Sequence, residues 1–225
     1  MVSSTGLGIT LGMLLGLRHA FEPDHLTAVS ALVTETRDAR GGAVLGALWG
    51  VGHTIALVAV AAILMLAGAS MPERASVAFE LCVAVMLLVL GARSIVVAVR
   101  IGATQRHDHS PRGRRHRPTD HVHLGTRTLA WRPLAVGLVH GLAGSGALTA
   151  FVFASLHGTG ARLLYMTLFG AGSIGGMALA SGIAGATLSG LAHDGRTRIA
   201  IAIAAGALSI VVGVCWTIPL WLQLA

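Results

Sequence analysis

Two histidines and three charged residues share one eight-residue stretch of an otherwise apolar segment, Arg18-His19-Ala20-Phe21-Glu22-Pro23-Asp24-His25. Imidazole nitrogens combined with a carboxylate favour borderline divalent metals such as Ni²⁺, Co²⁺ or Zn²⁺, whereas Mg²⁺ prefers oxygen ligands. On a straight helix His19, Asp24 and His25 would not share a face, because five and six residues turn by about 140° and 240°. Pro23 removes a backbone N–H and clashes with the carbonyl of His19. A kink or unwound section there would bring the three side chains around one point.

The depth of this stretch sets the cost of placing charge there. It lies near the middle of the apolar block 5–34, and an ionised side chain at the bilayer centre costs about 2.5–3.5 kcal/mol. Arg18, Glu22 and Asp24 would together cost on the order of 8 kcal/mol if all faced lipid. We therefore expect them to face the protein interior or water. A functional site explains that cost better than the alternative, a polar network that only joins helices.

Three more residues are candidates for the same site. His53 lies mid-way along the next apolar block, and we predict it as a ligand or as a partner that orients one, the alternative being a hydrogen-bonded core histidine. His140 lies at a similar depth in the second half, and Glu22 adds a carboxylate beside the first cluster. The predicted metal residues are His19, Asp24, His25 and His53, with Glu22 and His140 as additional candidates.

The composition places these residues in a membrane protein. Of 225 residues, 54% are hydrophobic and 11% are charged, with a mean hydropathy of +0.77, whereas a soluble domain has about 25% charged residues. This excludes a soluble enzyme, a disordered chain and a fibrous protein. The net charge of +7 comes from arginines between apolar blocks, a pattern typical of membrane topology. We therefore predict the lipid bilayer as a partner and no nucleic acid.

Six apolar blocks are long enough to cross a bilayer, which takes about 20 residues. They cover residues 5–34, 42–69, 76–99, 133–157, 161–190 and 197–224. Two motifs recur between the halves: Gly16-Leu17-Arg18-His19-Ala20 matches Gly137-Leu138-Val139-His140-Gly141, and Trp49-Gly50-Val51-Gly52-His53 matches Phe169-Gly170-Ala171-Gly172-Ser173. We predict an all-α membrane protein with six transmembrane helices as two inverted three-helix repeats, at 1–100 and 133–225, a recurrent transporter architecture. Chance similarity among glycine-rich helices is the alternative.

The placement of arginine predicts the orientation in the membrane. Twelve arginines lie in or next to the predicted loops 1–2, 3–4 and 5–6, and two lie in the loops on the opposite side. Because positively charged residues favour the cytoplasmic side, these three loops are predicted to be cytoplasmic. Both termini would then lie outside, in a multi-pass protein of the bacterial inner membrane.

The loop at 101–132 is rich in histidine and arginine. Its histidines alternate with acidic residues, a pattern compatible with weak, exchangeable metal capture by His107, His109, His121 and His123. The Pro, Gly and Arg content argues against a packed fold. The alternative is a solvated basic loop that only fixes the topology.

The first motif resembles the signature of the nickel/cobalt transporter family, Arg-His-Ala-x-Asp-Ala-Asp-His, over the stretch 18–25. A second family element, Leu-Gly-His-Ser/Thr, is similar to Val51-Gly52-His53-Thr54. The resemblance implies that the family's signature residues are His19, Asp24, His25 and His53. Glu22 and Pro23 depart from the signature, and an acidic motif of the longer, eight-helix members is absent. The chain is thus similar to shorter members, including urease- and hydrogenase-accessory permeases and nickel/cobalt efflux proteins.

The expected function is secondary transport of nickel and/or cobalt. Uptake is the favoured direction, because an inward-negative potential assists a divalent cation by about 4.6 kcal/mol per 100 mV. The sequence has no Walker A motif, and we expect no enzymatic activity and no cofactor besides the transported ion. The alternatives are efflux by proton exchange, an intramembrane metalloenzyme, and a subunit that hands metal to a cytoplasmic metallochaperone or to nickel-enzyme maturation proteins.

Overall fold

The structure, a computed structural model, describes residues 4–34, 36, 38–105, 131–143, 156, 158–191 and 195–224. All regular secondary structure in these ranges is α-helical. The helices are α1 (Ser4–His19), α2 (Pro23–Val33), α3 (Ala39–Ala67), α4 (Glu73–Gln105), α5 (helical at 131–143), α6 (Thr159–Leu191) and α7 (Gly195–Leu224). The chain is an all-α membrane protein, as its composition predicts.

The first predicted span, 5–34, is divided into α1 and α2. Pro23 lies in the first turn of α2, where its missing N–H removes no helical hydrogen bond, and Glu22 is the N-cap with an extended backbone. In the connecting turn the amide of Phe21 donates to the carbonyl of Arg18 at 2.9 Å, and the amide of Glu22 donates to His19 at 3.0 Å. The break predicted at Pro23 is confirmed, and it separates two helices rather than kinking one.

Four helices in the described ranges are long and apolar enough to cross a membrane, namely α3, α4, α6 and α7. Their ends differ from the predicted spans by a few residues, most of all at α4, which continues beyond residue 99 to Gln105. With 16 and 11 residues, α1 and α2 are too short to cross singly, since a crossing takes about 20 residues. The predicted fourth span, 133–157, is described only in part.

Helices α1, α3 and α4 of the first half pack mainly on helices of the second half. Both α1 and α3 lie against α6, and α4 lies against α7. The short α2 contacts α3, α4, α6 and α7, so it lies between the two sets of long helices. The first residues of α2, which carry part of the predicted site, are thereby held at the centre of the molecule.

Glycines bring two pairs of helices into matching close contact. A Cβ on Gly16 of α1 would overlap the carbonyl oxygen of Phe169 on α6. In the same way, a Cβ on Gly137 of α5 would overlap the carbonyl oxygen of Trp49 on α3. Such close backbone approach is how small residues drive helix association in lipid. The two contacts join residues that correspond in the motifs shared by the two halves.

Serine hydroxyls make a second matching pair, between α4 and α7. Ser94 of α4 donates to the carbonyl of Ala202 at 3.0 Å, and Ser209 of α7 donates to the carbonyl of Leu87 at 2.8 Å. In each helix the donor lies seven residues after the acceptor. The two bonds therefore run in opposite senses between the same helices.

Candidate metal centre

Residues from both halves of the chain meet at the break between α1 and α2. His19 ends α1, His25 lies in the first turn of α2, His53 is in the middle of α3, and His140 is on α5. The ring centre of His25 lies 4.5 Å from that of His19, 5.4 Å from that of His53 and 4.1 Å from that of His140. His25 is thus the central member of a cluster of four imidazoles.

The cluster is buried and rich in unused nitrogen donors. His25 is 1% exposed, His53 0% and His140 2%. Buried polar atoms are normally hydrogen-bonded, yet several ring nitrogens here have no such partner: Nε2 of His19, Nε2 of His25, both nitrogens of His53 and Nδ1 of His140. A set of buried lone pairs turned towards one another is the arrangement that a metal ion would satisfy.

These donors form two groups, each with ligand atoms within 4.8 Å of one another. The first group is His19, His25 and His53, and the second is Asp24, His25 and His140. Ligands at about 2.0–2.1 Å from one ion are separated by roughly 3–4 Å. Small side-chain rotations would therefore close either group around a cation.

Asp24 links the two halves of the chain. Its Oδ2 lies 2.7 Å from Nε2 of His140, and its Oδ1 lies 3.1 Å from Nδ1 of His25. Carboxylates paired with metal-binding imidazoles fix the ring orientation and raise the basicity of the ligand. Asp24 can therefore bind a cation directly or orient the histidines that do so.

Glu22, an additional candidate ligand from the sequence, occupies a different position. Its Oε2 lies 2.9 Å from Nδ1 of His19, and its side chain is 52% exposed. It belongs to neither donor group of the described residues. The contact instead directs Nδ1 of His19 towards Glu22 and leaves Nε2 for a metal.

Two aromatic side chains that the sequence reasoning did not assign to the site form part of its wall. Trp49 lies against His25 and His140, with ring centres 5.5 Å and 5.6 Å apart, and Phe169 lies 5.3 Å from His19. The sequence could have indicated Trp49, because it precedes His53 by four residues and therefore lies on the same face of the helix. Phe169 is its counterpart in the second half, on α6.

The histidines of the long loop, His107, His109, His121 and His123, lie outside the described residues. Their role in metal capture stays a prediction. Both donor groups are complete with described residues alone.

The sequence has a curated relative that matches most of its length. The chain is 33% identical over 170 residues to the urease accessory protein UreH of Bacillus sp. (strain TB-90), covering 75% of this chain and 72% of the relative. No family model matches the chain, and no solved structure gives a significant match. Identity at this level over three quarters of the chain reflects common descent rather than shared apolar composition.

Proposed function

Because the chain belongs to the nickel/cobalt transporter family, in the branch of the urease accessory protein UreH, we propose that it takes up Ni²⁺ and/or Co²⁺ across the bacterial inner membrane as a secondary transporter. One observation carries the proposal: four imidazoles and a carboxylate are gathered at a helix break inside a membrane protein. Such donors suit borderline divalent metals. Transporters commonly place ion sites at discontinuous helices near the bilayer midplane.

The proposed ligands are His19, Asp24, His25 and His53, joined by His140. Their support is the buried, unpartnered ring nitrogens and the mutual distances of the two donor groups. The position of Glu22, paired with His19 and half exposed, favours an orienting role over direct coordination.

The proposed architecture has six crossings in two inverted three-helix repeats, 1–100 and 133–225. In the first repeat α1 and α2 together make one broken crossing, followed by α3 and α4. In the second, the segment 133–157, α6 and α7 make the other three. The matching glycine contacts and the opposed serine bonds support this relation, because a two-fold axis duplicates every contact across it. Three crossings per repeat make the second repeat inverted.

The proposed orientation has the loop 101–132 in the cytoplasm and both termini outside. The support is the arginine distribution between the loops. Trp216 and Trp221, near the end of α7, are 37% and 62% exposed. Exposed tryptophans near a helix end suit the interface between lipid and water.

Uptake is proposed because the membrane potential alone can drive a divalent cation inward. Efflux would need exchange for protons. The name of the relative associates it with urease, so for this chain we propose nickel as the main substrate. The cytoplasmic recipient would be a metallochaperone or a nickel-enzyme maturation protein.

The direct test is radiometal flux in proteoliposomes containing the purified protein alone, with Ni²⁺, Co²⁺ and Zn²⁺ offered to either face. We expect Ni²⁺ or Co²⁺ to enter under an inside-negative potential without ATP. His19→Ala, Asp24→Ala and His25→Ala should each abolish the flux. Ser181→Ala is the matched control, because Ser181 is equally buried on α6 and belongs to neither donor group.

Three results would contradict the proposal. Metal export that depends on protons entering down their gradient would identify an efflux protein. Bound metal with no flux, together with turnover of a hydrolysable substrate, would identify an intramembrane metalloenzyme. Flux that appears only after a cytoplasmic partner is added would identify a subunit of a metal-delivery complex.

A further inference from the structure

The two donor groups share a single residue, His25. The first, called here the nitrogen subsite, is His19, His25 and His53, and the second, the carboxylate subsite, is Asp24, His25 and His140. We propose that these are separate subsites, which one transported cation occupies in turn and between which His25 passes it. This inference rests on the proposed function and adds the path of the ion inside the site.

The distances favour two positions over one shared position. Within each group the three ligand atoms lie within 4.8 Å of one another, and no such group of the described residues combines His19 or His53 with Asp24 or His140. Donor atoms bound to one ion are separated by only roughly 3–4 Å. Each group can therefore close on an ion with small side-chain rotations, whereas a single ion bound by every donor would require a larger rearrangement of the side chains.

His25 can complete only one subsite at a time. Its Nδ1 lies 3.1 Å from Oδ1 of Asp24, and its Nε2 is buried without a hydrogen-bond partner. A ring nitrogen has one lone pair and binds one ion. Two divalent cations bound at once in these adjacent buried subsites would also repel each other strongly. Occupation of the two subsites is therefore exclusive, as a stepwise transfer requires.

The subsites lie on different helices and differ in charge. The nitrogen subsite is built from α1, α2 and α3 with imidazoles only, and the carboxylate subsite is built from α2 and α5 and contains an acidic group. His19 and His140 correspond in the proposed inverted repeats. An axis in the membrane plane places such counterparts on opposite sides of it. Transfer through His25 would thus carry the ion across the bilayer midplane.

The change from the ligands of the nitrogen subsite to those of the carboxylate subsite also limits which cations can be transported. A transported cation must first bind three imidazoles. It must then exchange the rings of His19 and His53 for the carboxylate of Asp24 and the ring of His140. Borderline ions such as Ni²⁺ and Co²⁺ accept both sets, whereas hard ions such as Mg²⁺ bind poorly to the nitrogen subsite. The nitrogen subsite would therefore act as the selective step.

The test measures Co²⁺ binding to the full-length protein in detergent, in two backgrounds. His53→Ala disables the nitrogen subsite, and His140→Ala disables the carboxylate subsite. A second substitution, His19→Ala or Asp24→Asn, is then added to each background. Optical absorption of Co²⁺ reports affinity and coordination, and flux is measured on the same variants in proteoliposomes.

Two subsites predict a crossed result. After His53→Ala, the addition of Asp24→Asn should weaken Co²⁺ binding by about 100-fold or more, and His19→Ala should change it by less than about threefold. After His140→Ala, the addition of His19→Ala should weaken Co²⁺ binding by about 100-fold or more, and Asp24→Asn should change it by less than about threefold. Each single background should still bind one Co²⁺ per chain but transport less than about a tenth as fast as the wild type, because the path is interrupted.

One shared centre would give a different pattern, with His19→Ala and Asp24→Asn weakening binding equally in both backgrounds. That result would overturn the two-subsite proposal and leave the transport proposal intact. A wild-type protein that binds no Co²⁺ would overturn both. Gel-filtration elution and helical circular dichroism identify variants that fail to fold, and Ser181→Ala should behave as wild type throughout.

Discussion

Each carboxylate near the site engages a ring nitrogen and so influences which nitrogen of that imidazole remains for a metal. Glu22 contacts Nδ1 of His19, and Asp24 contacts Nε2 of His140. Their surroundings differ, because Glu22 is half exposed and Asp24 is buried. The exposed carboxylate can act only through His19, whereas the buried one is near enough to a second ring to bind a cation itself.

Substitution of Glu22 should separate orientation from coordination. We expect Glu22→Ala to lower the apparent affinity for Ni²⁺ by about tenfold, as loss of an outer partner does, with the maximal rate retained. Glu22→Gln keeps an acceptor oxygen for Nδ1 of His19 and should stay within about threefold of the wild type. The measurement is the concentration dependence of Ni²⁺ uptake, normalised to inserted protein. Loss of all uptake in Glu22→Ala, as in His19→Ala, would make Glu22 a ligand.

At the scale of single residues, the helix break at Pro23 was predictable from the sequence, and the pairing of Asp24 with His140 was not. Pro23 breaks the helix through its own missing N–H and its clash with the preceding turn, so the separation of α1 from α2 follows from the sequence. The contact between Asp24 and His140 joins residues 116 positions apart. It depends on where α5 lies relative to the start of α2, which no local pattern contains.

At the scale of the helices, α1 packs on α6 and α5 packs on α3 through close contact between their backbones rather than through large side chains. At Gly16 and Gly137 a carbonyl of the neighbouring helix occupies the space of a Cβ. Lipid tails are as apolar as leucine, so hydrophobic burial gives little preference for one helix neighbour over another. The chain has 30 glycines, and their number predicts close packing without showing which of them face a partner.

Gly137→Ala should destabilise the α3–α5 contact, because its new methyl group would overlap the carbonyl oxygen of Trp49. Overpacking of this kind costs about 1–3 kcal/mol. Gly175→Ala is the matched control, since a Cβ at Gly175 meets nothing within 4 Å. Thermal unfolding in detergent should show a lower midpoint for Gly137→Ala alone. Equal midpoints would mean that α3 and α5 do not approach so closely.

At the scale of the whole molecule, the described helices α1, α3 and α4 find their main partners in the opposite half of the sequence. The four long apolar helices α3, α4, α6 and α7 were predictable, because length and apolarity are local properties. The packing of α1 and α3 on α6 and of α4 on α7 was not predictable from apolarity, since every lipid-facing helix looks alike in that respect. The position of α2 among four long helices follows from that packing.

Topology can be checked with reporter fusions after residues 3, 115 and 225. The arginine bias predicts a cytoplasmic reporter at 115 and external reporters at both ends, because positive loops stay inside. Exchanging Arg196 and Arg198 for Ser should leave this orientation unchanged, since loop 3–4 carries most of the charge. A cytoplasmic reporter at 225 would mean an odd number of crossings and would contradict the inverted repeat.

Deletion of residues 107–123 should leave transport measurable. The deleted histidines belong to a predicted loop and not to the donor groups of the described residues. We expect a change in the metal dependence of uptake without loss of the maximal rate. Metal accumulation in cells, compared with the His25→Ala variant, provides the measurement. A deletion variant as inactive as His25→Ala would move the essential chemistry to the loop.

The packing of first-half helices on second-half helices also has a consequence for biosynthesis. A ribosome adds about 5–20 residues per second, so α1 and α3 must wait on the order of ten seconds in the bilayer before α6 exists. Insertion and assembly are therefore separate stages, as is general for helical membrane proteins. A nascent chain holding only residues 1–100 would contain His19, His25 and His53 without the helix that holds α1 and α3 together. We therefore expect metal binding to begin only once translation is nearly complete, so that incomplete chains do not retain the ion.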